Sequence, residues 1–325
     1  MRRVVVGLGL GLGLVLGVDH TASADTPRDT PAAIEVDREA APPGRAELGF
    51  DGGAAVEGWA ATVGVGYLAA PMTLRSSAGE FTPVRRRETL SLGGALGLGE
   101  TVVIDARLPL SHQVGDRLAA LGDDRALDRW VPGDLRIGGR IRVVNTAHAD
   151  ALIRADLVFP TGDDDDLAGE ASWAVAWNLI GRFRLPAGIV VAASGGIRLR
   201  GAEVMLADKV VGDELHGGVG IAVPIPPIRP LWCVADQVKL TGEVVGVLGD
   251  EVGGASGPSP AEARVGLVTW PLESVSIGVR LGAGLGDQIG APAWRATFEL
   301  TYHGSARLIP ARDPTEAPED EPVEP

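Results

Sequence analysis

The chain has 325 residues, with 29 basic against 43 acidic residues, a formal net charge of −14 at pH 7 and a single cysteine, Cys233. The lone cysteine excludes an internal disulfide, and the absence of a basic tract with interleaved aromatics argues against nucleic-acid binding. At 45% apolar residues the chain is too hydrophobic to be disordered throughout, yet its body has no apolar run long enough for a membrane-spanning helix.

The first residues read MRRVVVGLGLGLGLVLGVDHTASAD. Arg2 and Arg3 precede an apolar run from Val4 to about Val18 and the small-x-small site Ala22-Ser23-Ala24. This predicts a signal peptide over 1–24 and a chain that leaves a bacterial cytoplasm. A retained membrane helix is the alternative, against which the short, Gly-rich run speaks. Residues 25–45 read as a disordered N-terminal segment. Residues 305–325, rich in Pro and Glu, read as a disordered acidic periplasmic tail. Between them, 46–304 reads as one domain.

Alternation at period two fills that domain. Twelve segments carry it, at 58–68, 88–98, 101–110, 134–144, 149–160, 171–184, 188–200, 213–224, 237–248, 261–270, 273–285 and 292–302. Most run ten or more residues, whereas strands in soluble proteins run about five or six and a strand crossing a bilayer needs about 9–11. Charges respect the alternation. In 134–144, Leu135, Ile137, Ile141 and Val143 share one face and Arg136, Arg140 and Arg142 the other. Glu88, Asp213 and Glu273 are the exceptions, and each opens its segment.

A soluble β-sandwich would alternate too, so three further features decide. Tight connections (97–101, 145–148, 185–188, 270–273) take turns with long ones (69–87, 111–133, 161–170, 201–212, 249–260, 286–291), the rhythm of outer-membrane barrels; only 225–236 is long where a short turn is expected. The aromatic residues Trp59, Tyr67, Phe159, Trp173, Trp270, Trp294 and Tyr302 sit near strand ends, as interfacial girdles require. Glycines crowd the charged face, among them Gly64, Gly66, Gly93, Gly97, Gly218, Gly220, Gly282 and Gly284. They would weaken a solvent-facing strand but leave room inside a closed tube. The expected fold is therefore all-β, a single closed antiparallel up-and-down transmembrane β-barrel of about twelve strands. Trp294, Phe298 and Tyr302 should face lipid, and Arg295 and Glu299 a lumen.

The stretch WRATFELTY, Trp294–Tyr302, resembles the aromatic-ended final strand by which outer-membrane proteins are recognised. That resemblance implies the barrel insertion machinery as a partner, beside outer-membrane lipid. Phe159-Pro160-Thr161-Gly162-Asp163 resembles the PTGD loop of the outer-membrane transporter-like family related to meta-pathway phenol-degradation proteins. Residues 85–304 look like the N-terminal barrel of some OmpA-family proteins. Those continue through a Pro-rich acidic linker into a peptidoglycan-binding domain; here only the linker-like tail follows, so that function is not carried over. Neither resemblance implies a catalytic residue or a cofactor.

The charged face defines the candidate site. It carries Arg107, Arg136, Arg140, Arg142, Arg154, Arg182, Arg184, Arg198, Arg200, Arg264, Arg280, Arg295 and Lys239 against Asp105, Asp134, Asp156, Glu214, Glu243, Glu262 and Glu299. By count the lumen is cationic and should favour anions, unless the charges pair into a closed plug. Asp163, Asp164, Asp165 and Asp166, with Glu170 nearby, could hold a Ca²⁺ ion, although a solvated acidic loop is the plainer reading. In 116–130 local helix character, with Asp116 as N-cap and Gly122 as stop, suggests a helix folded into the mouth or lying on the surface. Ser194 and His216 share lumen parity, the one pairing that could suggest a hydrolase, and Glu214 with His216 could hold a metal; both read more simply as polar lumen residues. The expected function is an outer-membrane channel or transporter for small, anionic or amphiphilic solutes, without enzymatic activity. A non-conducting structural barrel and a secreted soluble β protein are the alternatives.

Overall fold

The computed structural model describes residues 47–50, 58–76, 79–99, 101–117, 126–163, 166–206, 209–225, 238–249, 251–252, 255–286 and 288–304. The expected signal peptide, the 25–45 segment, the acidic tail, Asp164, Asp165 and most of the 225–236 connection lie outside the described residues.

The strands are β1 (Trp59–Ser76), β2 (Gly79–Leu98), β3 (Val102–Arg117), β4 (Ala126–Pro132), β5 (Leu135–Asn145), β6 (Ala149–Phe159), β7 (Ala174–Arg184), β8 (Val190–Arg200), β9 (Val204–Leu206), β10 (Lys209–Val211), β11 (Glu214–Pro224), β12 (Val238–Gly249), β13 (Glu251–Val252), β14 (Ala255–Ser256), β15 (Ala261–Leu272), β16 (Val275–Gly284) and β17 (Trp294–Gly304). One sheet runs β1-β2-β3-β5-β6-β7-β8-β11-β12-β15-β16-β17 and returns to β1, every pairing antiparallel. It is a closed twelve-stranded barrel with almost no helix: a 3-10 turn at Pro186–Gly188 is the only helical element among the described residues. β4 pairs with the far half of β3 and β5 with the near half, so β4 and β5 form one barrel strand interrupted at Gly133-Asp134. β9–β10 and β13–β14 are small hairpins within long connections.

Alternation explains why these segments form strands and which way they face. Leu92, Ile141, Leu179, Phe183, Val219 and Leu281 are 49–59% exposed on the outer surface, while Asp105, Arg140, Arg182, Glu243 and Arg280 are at most 5% exposed inside. A single apolar sheet face open to water would be strongly unfavourable, and no second sheet among the described residues covers it. The seam between first and last strands runs from Trp59↔Gly304 to Ala69↔Trp294. Trp59 lies 5.5 Å from Tyr302 at one end, and Tyr67 stacks on Trp294 at 4.7 Å at the other. The two aromatic pairs are eight residues apart along β1, roughly 26 Å of strand. At the usual tilt of about 40° that separates them by about 20 Å along the axis.

Three sequence expectations need correction. The 69–87 link is almost all strand, because β1 and β2 keep pairing past a pair of bulges at Ala69/Met72 and Met72/Leu74. The segment 116–130 is strand wherever it is described: Asp116 lies in β3 and Trp130 in β4. Leu127 and Val131 face inward, four residues apart, a spacing that helix and strand periods both accommodate; pairing with β3 settles it in favour of strand. Trp270 is 8% exposed and points into the barrel with Glu262 and Arg264, the Lys239 ammonium 5.8 Å from its ring centre. It belongs to no outer girdle. Its even-numbered parity with those two charges outweighs its place near a strand end.

Two apolar clusters pack inside the barrel. At the long-loop end Met72, Val84, Leu127, Leu167, Val204, Val211 and Ile289 pack together. At the short-turn end Leu48, from the segment preceding β1, packs on Val190, Ala192 and Ala222, with Phe50 beside it.

Candidate functional site

The bore between these clusters is lined by the charges, and the strand register dictates how they meet. Asp105 on β3, Gly138 on β5 and Asp156 on β6 form one row across three strands. Because glycine has no side chain, Arg154 lies over it. It donates to both Asp105 oxygens at 2.8 Å and through Nε to Asp156 at 2.7 Å, with Arg140 3.7 Å from Asp105. A Cβ at Gly138 would fall 2.4 Å from the Arg154 guanidinium. The arrangement recurs. Arg264 on β15 and Arg295 on β17 flank Gly282 on β16, and Glu262 accepts from both at 3.0 and 2.9 Å. Asn178 on β7 and His216 on β11 flank Gly196 on β8 and hydrogen-bond over it at 2.6 Å. Such bidentate and charge-assisted bonds are the strong ones in an enclosed setting.

Further clusters fill the remaining sectors. Glu243 meets Arg280 at 3.3 Å, and Arg280 also reaches Glu299 at 2.7 Å. Arg198 and Arg200 share Glu170 and Glu214 at 3.0–3.6 Å. Asp150 faces Arg182 and Arg184 at the short-turn end. The segment 47–50 threads into this network. The Glu47 carboxylate lies 2.7 Å from Lys239 and 3.7 Å from Arg182, and the Gly49 amide donates to Glu243 at 2.9 Å. At the opposite end the described residues of the 161–172 connection fold inward. Asp134 accepts the amides of Gly162 and Glu170 at 2.9 and 2.7 Å, Arg129 binds Asp163 at 2.8 Å and also Asp166, Gln113 donates to the Asp166 carbonyl, and Arg87 reaches the Leu167 carbonyl at 3.5 Å.

A cavity of about 120 Å³ remains at mid-bore. Its charged lining is Arg107, Arg136, Arg154 and Arg198 against Asp105, Asp156 and Glu214, and its apolar lining includes Phe50, Ile180, Val245 and Val247. A second space, about 40 Å³, lies across Gly49 and Arg107, against Arg264, Arg280, Arg295 and Glu299.

The structure places Arg140, Arg154, Arg182, Arg198, Arg264, Arg280, Arg295 and Glu243 in the buried interior, with Arg107, Arg136, Arg142, Arg184, Arg200, Lys239, Asp156 and Glu299 partly buried on the same face. Sequence reasoning missed Glu47, Asp150 and Arg87, and read Glu170 as a neighbour of the acidic run rather than as a partner of Arg198 and Arg200. Asp150 shares the parity of Arg154 and was findable; Glu47 and Glu170 lie in segments without any period. Of the proposed girdle, Trp59, Trp173, Trp294 and Tyr302 are exposed, Tyr67 and Phe159 partly so, and Trp270 is inside. Trp130, 54% exposed and stacked on His112 at 5.3 Å, was missed because it was assigned to a helix. The described members of the acidic run, Asp163 and Asp166, both pair with Arg129, and no group of three or more His, Cys, Asp or Glu among the described residues is placed to hold a metal. Ser194 pairs with Gly218 and His216 with Gly196, and the His216 ring nitrogen engages Asn178.

No protein-family model matches the chain, and no curated protein matches it. Among solved structures it is similar to the COG4313 outer membrane channel from Pseudomonas putida F1, with 15% identity and a TM-score of 0.55 over 76% of this chain and 95% of that one. It also matches the NanC porin (5% identity, TM-score 0.48, 75% of this chain and 99% of that one) and the CymD monoaromatic hydrocarbon channel (11%, 0.45, 84% and 100%). The phenol-degradation and OmpA-type resemblances are carried no further by these comparisons. What this chain shares with the first of these channels, at such low identity, is its fold: a closed antiparallel β-barrel.

Proposed function

We propose that the protein is an outer-membrane channel for small solutes, with its short-turn end and both ends of the barrel chain in the periplasm. The carrying observation is the pairing of an aliphatic outer wall, which only lipid suits, with an enclosed, charged bore that retains a cavity. Trp59 and Tyr302 would mark one interface and Tyr67 and Trp294 the other, and the final strand would be the segment read by the insertion machinery. The arginine-rich lumen would set preference among solutes.

One observation favours a second reading, a non-conducting structural barrel: residues 47–50 thread into the bore from the short-turn side, and the loop-end cluster packs at its other end. Conductance of the mature protein in a planar bilayer separates the two. The channel reading expects discrete current steps, enlarged when Leu48→Gly loosens the N-terminal segment. Silence of both proteins at every voltage, with the barrel's heat-modifiable gel mobility intact, would leave the structural reading.

A further inference from the structure

We infer that the mid-bore cavity is a binding site for a small amphiphilic monoanion, a compact apolar body bearing one carboxylate-like group. The inference rests on the bore being a solute path and names the class of solute it retains. The argument starts from the ring. Counting β4 and β5 as one strand, β3 and β12 stand six places apart among twelve, on opposite sides of the barrel. The cavity spans the bore between them: Arg107 on β3 and Arg136 on β5 line one side, Val245 and Val247 on β12 line the other, and Phe50 adds to the apolar lining.

Charge supplies the second step. Among the described residues the lining carries four guanidinium groups and three carboxylates, an excess of one positive charge. The residues behind it keep the sign: Arg140, which faces Asp105, and Arg200, which faces Glu170 and Glu214, bring two positive charges against one further carboxylate, Glu170. An enclosed site with one net positive charge is best completed by one negative charge. Size supplies the third step: about 120 Å³ admits a molecule of a few carbon atoms rather than an oligosaccharide or a nucleotide. A purely polar anion would leave the β12 and Phe50 wall unused, and a hydrocarbon would leave the guanidinium side desolvated.

Hexanoate is the probe, with hexanol and inorganic phosphate as its two halves, titrated calorimetrically into the full mature protein in detergent. Hexanoate is expected to bind saturably, at least about tenfold tighter than either control. Arg136→Gln and Val245→Asp should each weaken it by about tenfold or more while heat-modifiable mobility persists. Equal binding of hexanol, equal binding of phosphate, or no hexanoate binding by the folded protein would each overturn the assignment. Failure here is distinct from failure of the channel reading. Bilayer currents without hexanoate binding would remove this site and keep the channel, whereas hexanoate binding without currents would keep the site and remove the channel.

Discussion

At the long-loop end of the barrel, aliphatic side chains such as Met72, Leu127, Leu167 and Ile289 pack as they would in a soluble domain. In mid-bore a few aliphatic side chains such as Ile180, Val245 and Val247 share the interior with long charged ones, Arg154, Arg264 and Arg280 among them. Reach explains the difference. There most side chains start from a wall of twelve strands, and Leu or Val is too short to meet a partner from across the tube. Arginine is long enough to lie over a neighbouring strand, provided that strand offers glycine. At the ends, connecting segments carry Leu167, Ile289 and Leu48 inward from the wall, so short aliphatic chains suffice.

The largest test of this contrast is Asp105→Leu. It should remove the carboxylate that Arg154 and Arg140 share and leave their charges under-compensated in the enclosed interior, at a cost of about 3–5 kcal/mol, read as a lower urea midpoint by tryptophan fluorescence. The double variant with Arg154→Met should recover part of that loss; no loss in the single variant would show that the middle is not held by these pairs. Leu167→Ala should cost about 2–3 kcal/mol of the loop-end packing. Because that cluster is built from loops, the effect should register mainly as faster proteolysis within 160–173, and a uniform fall in barrel stability would contradict the division into two regions.

The wall was legible in the sequence because period two is written into every strand, and the short-turn ends were close to where alternation put them. The loop-end extensions were not, since Pro71, Pro83 and the run Arg85-Arg86-Arg87 interrupt hydrophobic alternation while backbone pairing continues. Inward parity of the arginines and of carboxylates such as Asp105 and Glu262 was readable; which pairs with which was not. Arg295 finds Glu262 two strands away, and Glu170 and Glu47 arrive from segments with no repeat at all. For the same reason the loop-end cluster, with Leu167 and Ile289, left no trace in the pattern.

A finer test contrasts two glycines. Gly138→Val should overpack the Asp105–Arg154–Asp156 cluster and cost about 1–3 kcal/mol. Gly195→Ala, whose added carbon meets nothing within 4 Å, should change stability by less than about 0.5 kcal/mol. Equal penalties would mean that the glycine rows serve the backbone rather than the space above it. The smallest effect belongs to Glu47→Gln, which removes a partly solvated pair with Lys239 worth up to about 1 kcal/mol. Leu48→Ala should release the segment more readily, and protection of the Gly49 amide in hydrogen exchange would rank the two.

The glycine rows carry a consequence for how such a tube can diversify. The hydrogen-bond ladder of the wall is indifferent to what lies above Gly138, Gly196 or Gly282, so a lineage can exchange the cross-braces without reshaping the hoop. Calibre and chemistry of the passage then become properties of removable struts, and a wider or differently charged conduit needs no added strand.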